Sequence, residues 1–139
     1  MNHIFLDIDG VLNSPSDDIV INRMFEEKKL KLFIDLVKET NSKIVIISSR
    51  RHYEDEINLI LDTFKNEPFF EDIYFLPETK GLRRNKEINN FIHKYHIENY
   101  VVLDDIDDGN RALFKERFIH INGLYGLRKE DIKRIKEIL

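Results

Sequence analysis

Short apolar runs recur along the chain at Ile4–Ile8, Lys43–Ile47, Ile73–Leu76, Tyr100–Leu103 and Phe118–Ile121. "KIVIIS" and "NYVVLDD" are near-continuous β-branched and aliphatic stretches, the pattern of strands covered on both faces of a parallel sheet. Between the runs the apolar period changes to that of a helix. Leu30, Phe33, Ile34 and Val37 share one face, as do Ile57, Ile60, Leu61 and Phe64. Ile88, Phe91, Ile92 and Tyr95 form another stripe, and Ile132, Ile135 and Ile138 a last one within the charged amphipathic "RKEDIKRIKEIL". Each stripe reads as a core face. Strand alternating with helix predicts a doubly wound α/β fold: a five-stranded parallel sheet with helices on both faces. "NSPSDD" and "PETKGLRRNK" read as loops, and neither a linker nor a repeat divides residues 1–139, which are expected to form one domain.

In such folds ligands sit beyond the carboxyl ends of the strands, and that rule gathers the polar residues. Asp7 and Asp9 follow the first run, Ser48, Ser49 and Arg50 the second, and Asp104 and Asp105 the fourth. Lys86 joins them if the third helix starts after Asn85 as its N-cap. Acids at the end of a core strand are costly unless something positive compensates them. Oxygen ligands without Cys or His favour a hard cation, Mg²⁺ above all, with Asp7, Asp9, Asp104 and Asp105 around it. A hydroxyl (Ser48) and a lysine (Lys86) add donors for phosphoryl oxygens, so the set suits phosphoryl transfer. Asp7 can attack phosphorus to give an aspartyl-phosphate. Asp9 can protonate the leaving oxygen and later deprotonate water. Gly10 allows a tight turn that brings backbone N–H groups to the phosphate.

Composition narrows this further. Apolar residues at 42% and charged residues at 35% describe a globular chain, and a net charge of −4 excludes an overall polycation. A phosphate polymer would need a local patch, for which Arg50, Arg51, His52, Lys80, Arg83, Arg84 and Lys86 are the candidates. With no cysteine there are no disulfides, thiolate metal sites or thiol nucleophiles. No apolar run approaches the roughly 18 residues of a membrane span, and the first residues lack a basic signal-peptide region. A soluble, cytoplasmic protein without a membrane partner is expected.

Other motifs fall away. "DDIDDG" fails as a calcium loop, since Ile106 and Lys115 stand where oxygen ligands belong. A response-regulator receiver has its acids first and its lysine last, unlike the order here. His3, His52, His93, His96 and His120 lack metal-ligand spacing, although His52 is placed to touch a substrate. No Walker or dinucleotide glycine motif is present.

"DIDGVLN", "IVIISSRR", a basic residue opening a helix and "VVLDD" occur in the order, and on the strand ends, of the haloacid dehalogenase (HAD) superfamily of phosphatases. Over nearly its whole length the chain is similar to the small HAD domains associated with Swiss Army Knife RNA repair proteins. It also resembles the phosphatase half of polynucleotide kinase-phosphatases. "RRNKEINNFI" and "NGLYGLRKEDIKRIKEIL" match segments of that group. The resemblance implies a Rossmann-like domain, Mg²⁺ dependence and phosphomonoester hydrolysis. It implies Asp7 as nucleophile, Asp9 as acid/base and as metal ligand through its backbone carbonyl, Asp104 and Asp105 as the acidic pair at the metal, and Ser48 as the second-motif hydroxyl.

Related domains carry Trp-Arg after their serines where this chain has Arg50-Arg51. The phosphate contacts therefore stay open between Ser48 and Ser49, and between Arg50 and Arg51. Arg84 and Lys86 both fit the basic position, with Lys86 favoured. HAD enzymes of small metabolites usually carry a lid, and neither Asn13–Lys43 nor Ser49–Lys86 has room for a sizeable one. The resemblance then points to large phosphorylated substrates, the terminal phosphate of RNA or DNA first. The alternatives are a nucleotide or small-metabolite phosphatase, shielded by a loop such as Ser14–Asn22, and a non-catalytic module that binds phosphorylated ends.

Overall fold

Strand β1 (Asn2–Leu6) pairs in parallel with β2 (Ser42–Ile46) on one side and β4 (Asn99–Asp104) on the other. β3 (Ile73–Phe75) lies beyond β2 and β5 (Phe118–His120) beyond β4, which gives a five-stranded, all-parallel sheet ordered β3-β2-β1-β4-β5. The computed structural model describes residues 1–14 and 25–139. The segment Ser14–Asn22 falls outside the described residues except for Ser14, and so does "NSPSDD" beyond its first two residues.

The chain runs from β1 outward to β2 and β3, then crosses back to β4 and β5. This reversal leaves the carboxyl ends of β1 and β4 side by side while their connections depart in opposite directions. The crevice at such a switch point is where doubly wound sheets bind ligands.

Alternate strand residues serve two cores. Ile4 and Leu6 face one layer with Ile44, Ile46, Val101 and Leu103, and Phe5 faces the other with Val45 and Val102. The first layer is closed by α1 (Glu27–Thr40), α2 (Glu54–Phe64) and α5 (Lys129–Ile138), through Phe33, Leu36, Val37, Ile60, Phe64 and Ile135. The second is closed by α3 (Arg84–Lys94) and α4 (Asn110–Phe114), through Ile88, Ile92 and Phe114. The stripes read from the sequence are the faces that pack. α2 and β3, which lie between the second and third motifs, pack into this same body rather than forming a lid. Among the described residues no helix is long and apolar enough to cross a membrane.

Element ends differ from expectation. β1 stops at Leu6 rather than Ile8, because the Ile8 carbonyl turns to accept the N–H groups of Val11 and Leu12 at 3.0 and 2.9 Å. The Ile8 side chain is nevertheless fully buried, so apolarity there marks burial and not pairing. This one side chain pins the loop that carries both acids. α3 begins at Arg84 with Arg83 at the cap, so Asn85 is not the N-cap; its carboxamide donates to the Asp108 carbonyl at 3.0 Å instead.

Phe5 is fully buried at the centre of the sheet, with edge-to-face contacts of 5.9 Å to both Phe91 and Tyr100. Phe5→Ala is expected to cost about 3–5 kcal/mol. Urea unfolding should show a lowered midpoint at an unchanged slope.

Candidate active site

Register decides where the acids meet. Leu6 pairs with Leu103, and the Asp7 N–H donates to the Leu103 carbonyl at 3.0 Å, which sets Asp7 beside Asp104 across the switch point. Asp104 is the last residue of β4 and wholly buried; Asp7 is buried too, and Asp105 half-buried. Asp7, Asp104 and Asp105 each offer a carboxylate oxygen, all within 4.8 Å of one another.

Arg84 is the cation that reaches this cluster. Its Nη2 donates to Asp104 Oδ2, its Nη1 donates to the Ile47 carbonyl at 3.3 Å, and Nη1 lies 3.8 Å from Asp7 Oδ1. Lys86 does not reach it. The helix starts at Arg84, so Lys86 projects about 200° further round and is exposed. Of the two basic residues that fit the helix start, Arg84 faces the acids and Lys86 faces solvent.

Were all three carboxylates ionised, one guanidinium would leave two negative charges unbalanced. Burial and the Asp104 carboxylate together push Asp7 up to about 8, with Arg84 pulling the other way. Burial, then Asp104, also raises Asp105. A divalent cation would balance two such charges, and an all-oxygen donor set suits Mg²⁺. The residues present fit the metal.

Gly10 sits in the expected tight turn, and its own N–H donates to Asn13 Oδ1 at 2.9 Å. Its φ is +81°, and a Cβ there would stand 2.3 Å from Asp105 Oδ2. Gly123 presses from another side, where a Cβ would be 2.9 Å from the same oxygen. The sequence reading noted "NGLYG" only as part of a segment, and nothing local tied Gly123 to an acid 18 positions earlier.

The Asp9 carboxylate is not one of the three. It is largely exposed and accepts from Arg50, Nε to Oδ2 at 3.1 Å and Nη2 to Oδ1 at 2.5 Å, and from Asn13 at 3.1 Å. Arg50 in turn lies 3.6 Å from Glu56 and 5.9 Å from the Phe25 ring centroid. Arg50 therefore faces Asp9.

Arg51 is engaged inside the fold. It donates to the carbonyls of Leu76 (2.9 Å), Ile47 (2.6 Å) and Ser48 (3.1 Å) and to Glu87 Oε1 (3.0 Å), lashing the ends of β2 and β3 to α3. Burial lowers its pKa while Glu87 opposes that. Ser48 is buried and accepts the Arg50 N–H at 3.2 Å, capping the short turn Ser49–His52. Its O–H remains a donor. Ser49 is the exposed member of the pair. Glu87, which the sequence reading passed over, receives both Arg51 and the Thr79 N–H.

Asp7 holds a proton when folded that it has released when unfolded, between about pH 4 and about 8. Metal-free stability should then fall as pH rises through that window. Asp7→Asn should flatten the fall and raise the metal-free melting temperature at pH 8, by roughly 3–8 °C for a gain of about 1–2 kcal/mol. Calorimetry at several pH values checks both. Gly10→Ala should weaken Mg²⁺ binding about fivefold or more, since strain of about 1–3 kcal/mol falls where the new Cβ would meet Asp105. Mg²⁺-dependent thermal shift reads this directly.

No curated protein and no solved structure matches the chain. A family model does, described as the HAD domain in Swiss Army Knife RNA repair proteins, over residues 3–132. That span runs from β1 into the first turn of α5, and includes all three carboxylates and Arg84. The chain belongs to this family of HAD domains.

Proposed function

We propose that this HAD domain is a Mg²⁺-dependent phosphomonoesterase that works through a phosphorylated Asp7 and acts on the terminal phosphate of a nucleic acid. The observation that carries the proposal is the under-neutralised cluster of Asp7, Asp104 and Asp105, with Arg84 laid across two of them. Phosphatase-type chemistry agrees with membership of the HAD family. The family's link to RNA repair and the lack of a lid among the described residues leave the site open to the end of a nucleic acid. A cytoplasmic setting goes with the cysteine-free chain.

Asp7, Asp104 and Asp105 would hold the cation, joined by the Asp9 backbone carbonyl. When bound, Mg²⁺ supplies positive charge against the phosphoryl oxygens. An Asp7 carboxylate oxygen forms a bond to phosphorus as the bond to the leaving oxygen breaks, and Asp9 gives that oxygen a proton. Asp9 then takes a proton from water while the water oxygen displaces Asp7, which releases inorganic phosphate and restores both acids. Arg84 and the hydroxyls of Ser48 and Ser49 bind phosphoryl oxygens. Arg50, gripping both Asp9 oxygens, positions the proton carrier.

Asp7→Asn should abolish Mg²⁺-dependent release of phosphate from an aryl phosphate while the protein stays folded. Asp9→Asn should reduce turnover of an alkyl phosphate about 10²–10⁴-fold. It should affect an aryl phosphate far less, because that leaving group departs without a proton. Steady-state kinetics on both substrates checks the assignment. A protein that binds phosphorylated ends yet releases no phosphate would instead be a binding module.

A further inference from the structure

The cations expected to form a track for polymer phosphates are mostly matched to acids. His52 Nδ1 lies 3.0 Å from Glu78, Arg83 3.8 Å from Asp108, and Arg51 3.0 Å from Glu87. Arg50 faces Asp9 and Glu56, and Arg84 faces Asp104 and Asp7. Of that set only Lys80 and Lys86 show no ion pair among the described residues, and both are exposed. Phosphate contacts along a strand need cations free to meet the backbone, and Arg50, Arg51 and Arg84 are held at buried or partly buried positions against acids.

The same edge carries a cleft of about 360 Å³. Its walls are the elements that build the phosphate site: Ser49 after β2, Arg84 at the start of α3, and Ile106 just beyond Asp104 and Asp105. A phosphoryl group held by Arg84 and Ser49 therefore has this cleft beside it for what is attached to it. The volume sits near the lower end of the roughly 300–1,000 Å³ of small-molecule sites, which suits one nucleoside and not a run of them. The lining is mixed in the way a nucleoside needs. Ile106 is 58% exposed and Leu82 half-buried, offering apolar surface, and Ser49, Thr79 and Glu78 offer hydrogen-bonding groups.

Resting on the phosphatase reading above, we infer that this cleft is the leaving-group subsite for the terminal nucleoside. The enzyme then recognises a nucleic-acid end through its last nucleoside, and the charge of the strand behind it contributes little.

The test measures kcat/KM with Mg²⁺ for four compounds: acetyl phosphate, ribose phosphate, a nucleoside monophosphate and an end-phosphorylated decanucleotide. Each is assayed at about 50 and 200 mM salt. The expected result is a gain of tenfold or more from ribose phosphate to the nucleoside monophosphate, and less than threefold from there to the decanucleotide. The salt dependence of these last two should be alike. Ile106→Ala should lower the ratio of nucleoside monophosphate to acetyl phosphate turnover several-fold, through KM. Its melting temperature confirms that this exposed position leaves the fold intact.

Indifference to the base, or an unchanged ratio in Ile106→Ala, overturns the subsite. A steep rise with strand length that collapses at the higher salt overturns it in favour of a polymer track. Failure of the wild-type protein to release phosphate from any of the four compounds removes the phosphatase reading itself, and the subsite with it.

Discussion

Two parallel strands, β1 and β4, end side by side, and each delivers a carboxylate to the same point. At a separation of about 4 Å and an effective dielectric of about 20, two such charges repel by on the order of 4 kcal/mol. A third carboxylate, Asp105, adds to the imbalance, and one guanidinium offsets only part of it. The surrounding structure bears this strain. The strand register cannot slip without exposing one of the two cores, the Ile8 side chain holds the acidic loop down, and Gly10 and Gly123 leave the space into which Asp105 fits. A site that is destabilised when metal-free, within a core stable enough to hold it, is the usual trade between stability and function.

The arginines divide the remaining work. Arg51 and Glu87 form a buried pair in which the guanidinium also satisfies three carbonyls at the ends of β2 and β3. Its flat fork suits that task in a way a lysine would not. Arg84 faces the acids from α3, and Arg50 holds Asp9 from the loop after β2. Three arginines at one edge thus do unlike jobs, because each projects from a different point on the edge of the sheet. The same pairings leave little free positive charge around the site, which shifts the weight of substrate recognition toward shape and toward the cleft beside Arg84.

Much of this was legible in the chain. The parallel strands and their helices followed from the apolar periods, because burial on both faces leaves a run of β-branched residues and a one-sided helix leaves a stripe. Asp7, Asp104 and Asp105 could be named because strand-end position is readable once the strands are. Strand and helix ends were less legible. Ile8 is as apolar as its neighbours although it has left the ladder, and Asn85 has the chemistry of an N-cap but donates to Asp108.

Sequence alone determined the doubly wound fold, the meeting of Asp7, Asp104 and Asp105 and their all-oxygen donor set, since each rests on local residue type and spacing. Tertiary structure decided which basic residue meets the acids, because a helix start displaced by two residues turns Arg84 inward and Lys86 outward. It decided that Arg51 binds carbonyls and Arg50 binds Asp9, and that Gly10 and Gly123 make room for a carboxylate. These outcomes depend on contacts between segments far apart in the chain, and no residue's own neighbours carry that information.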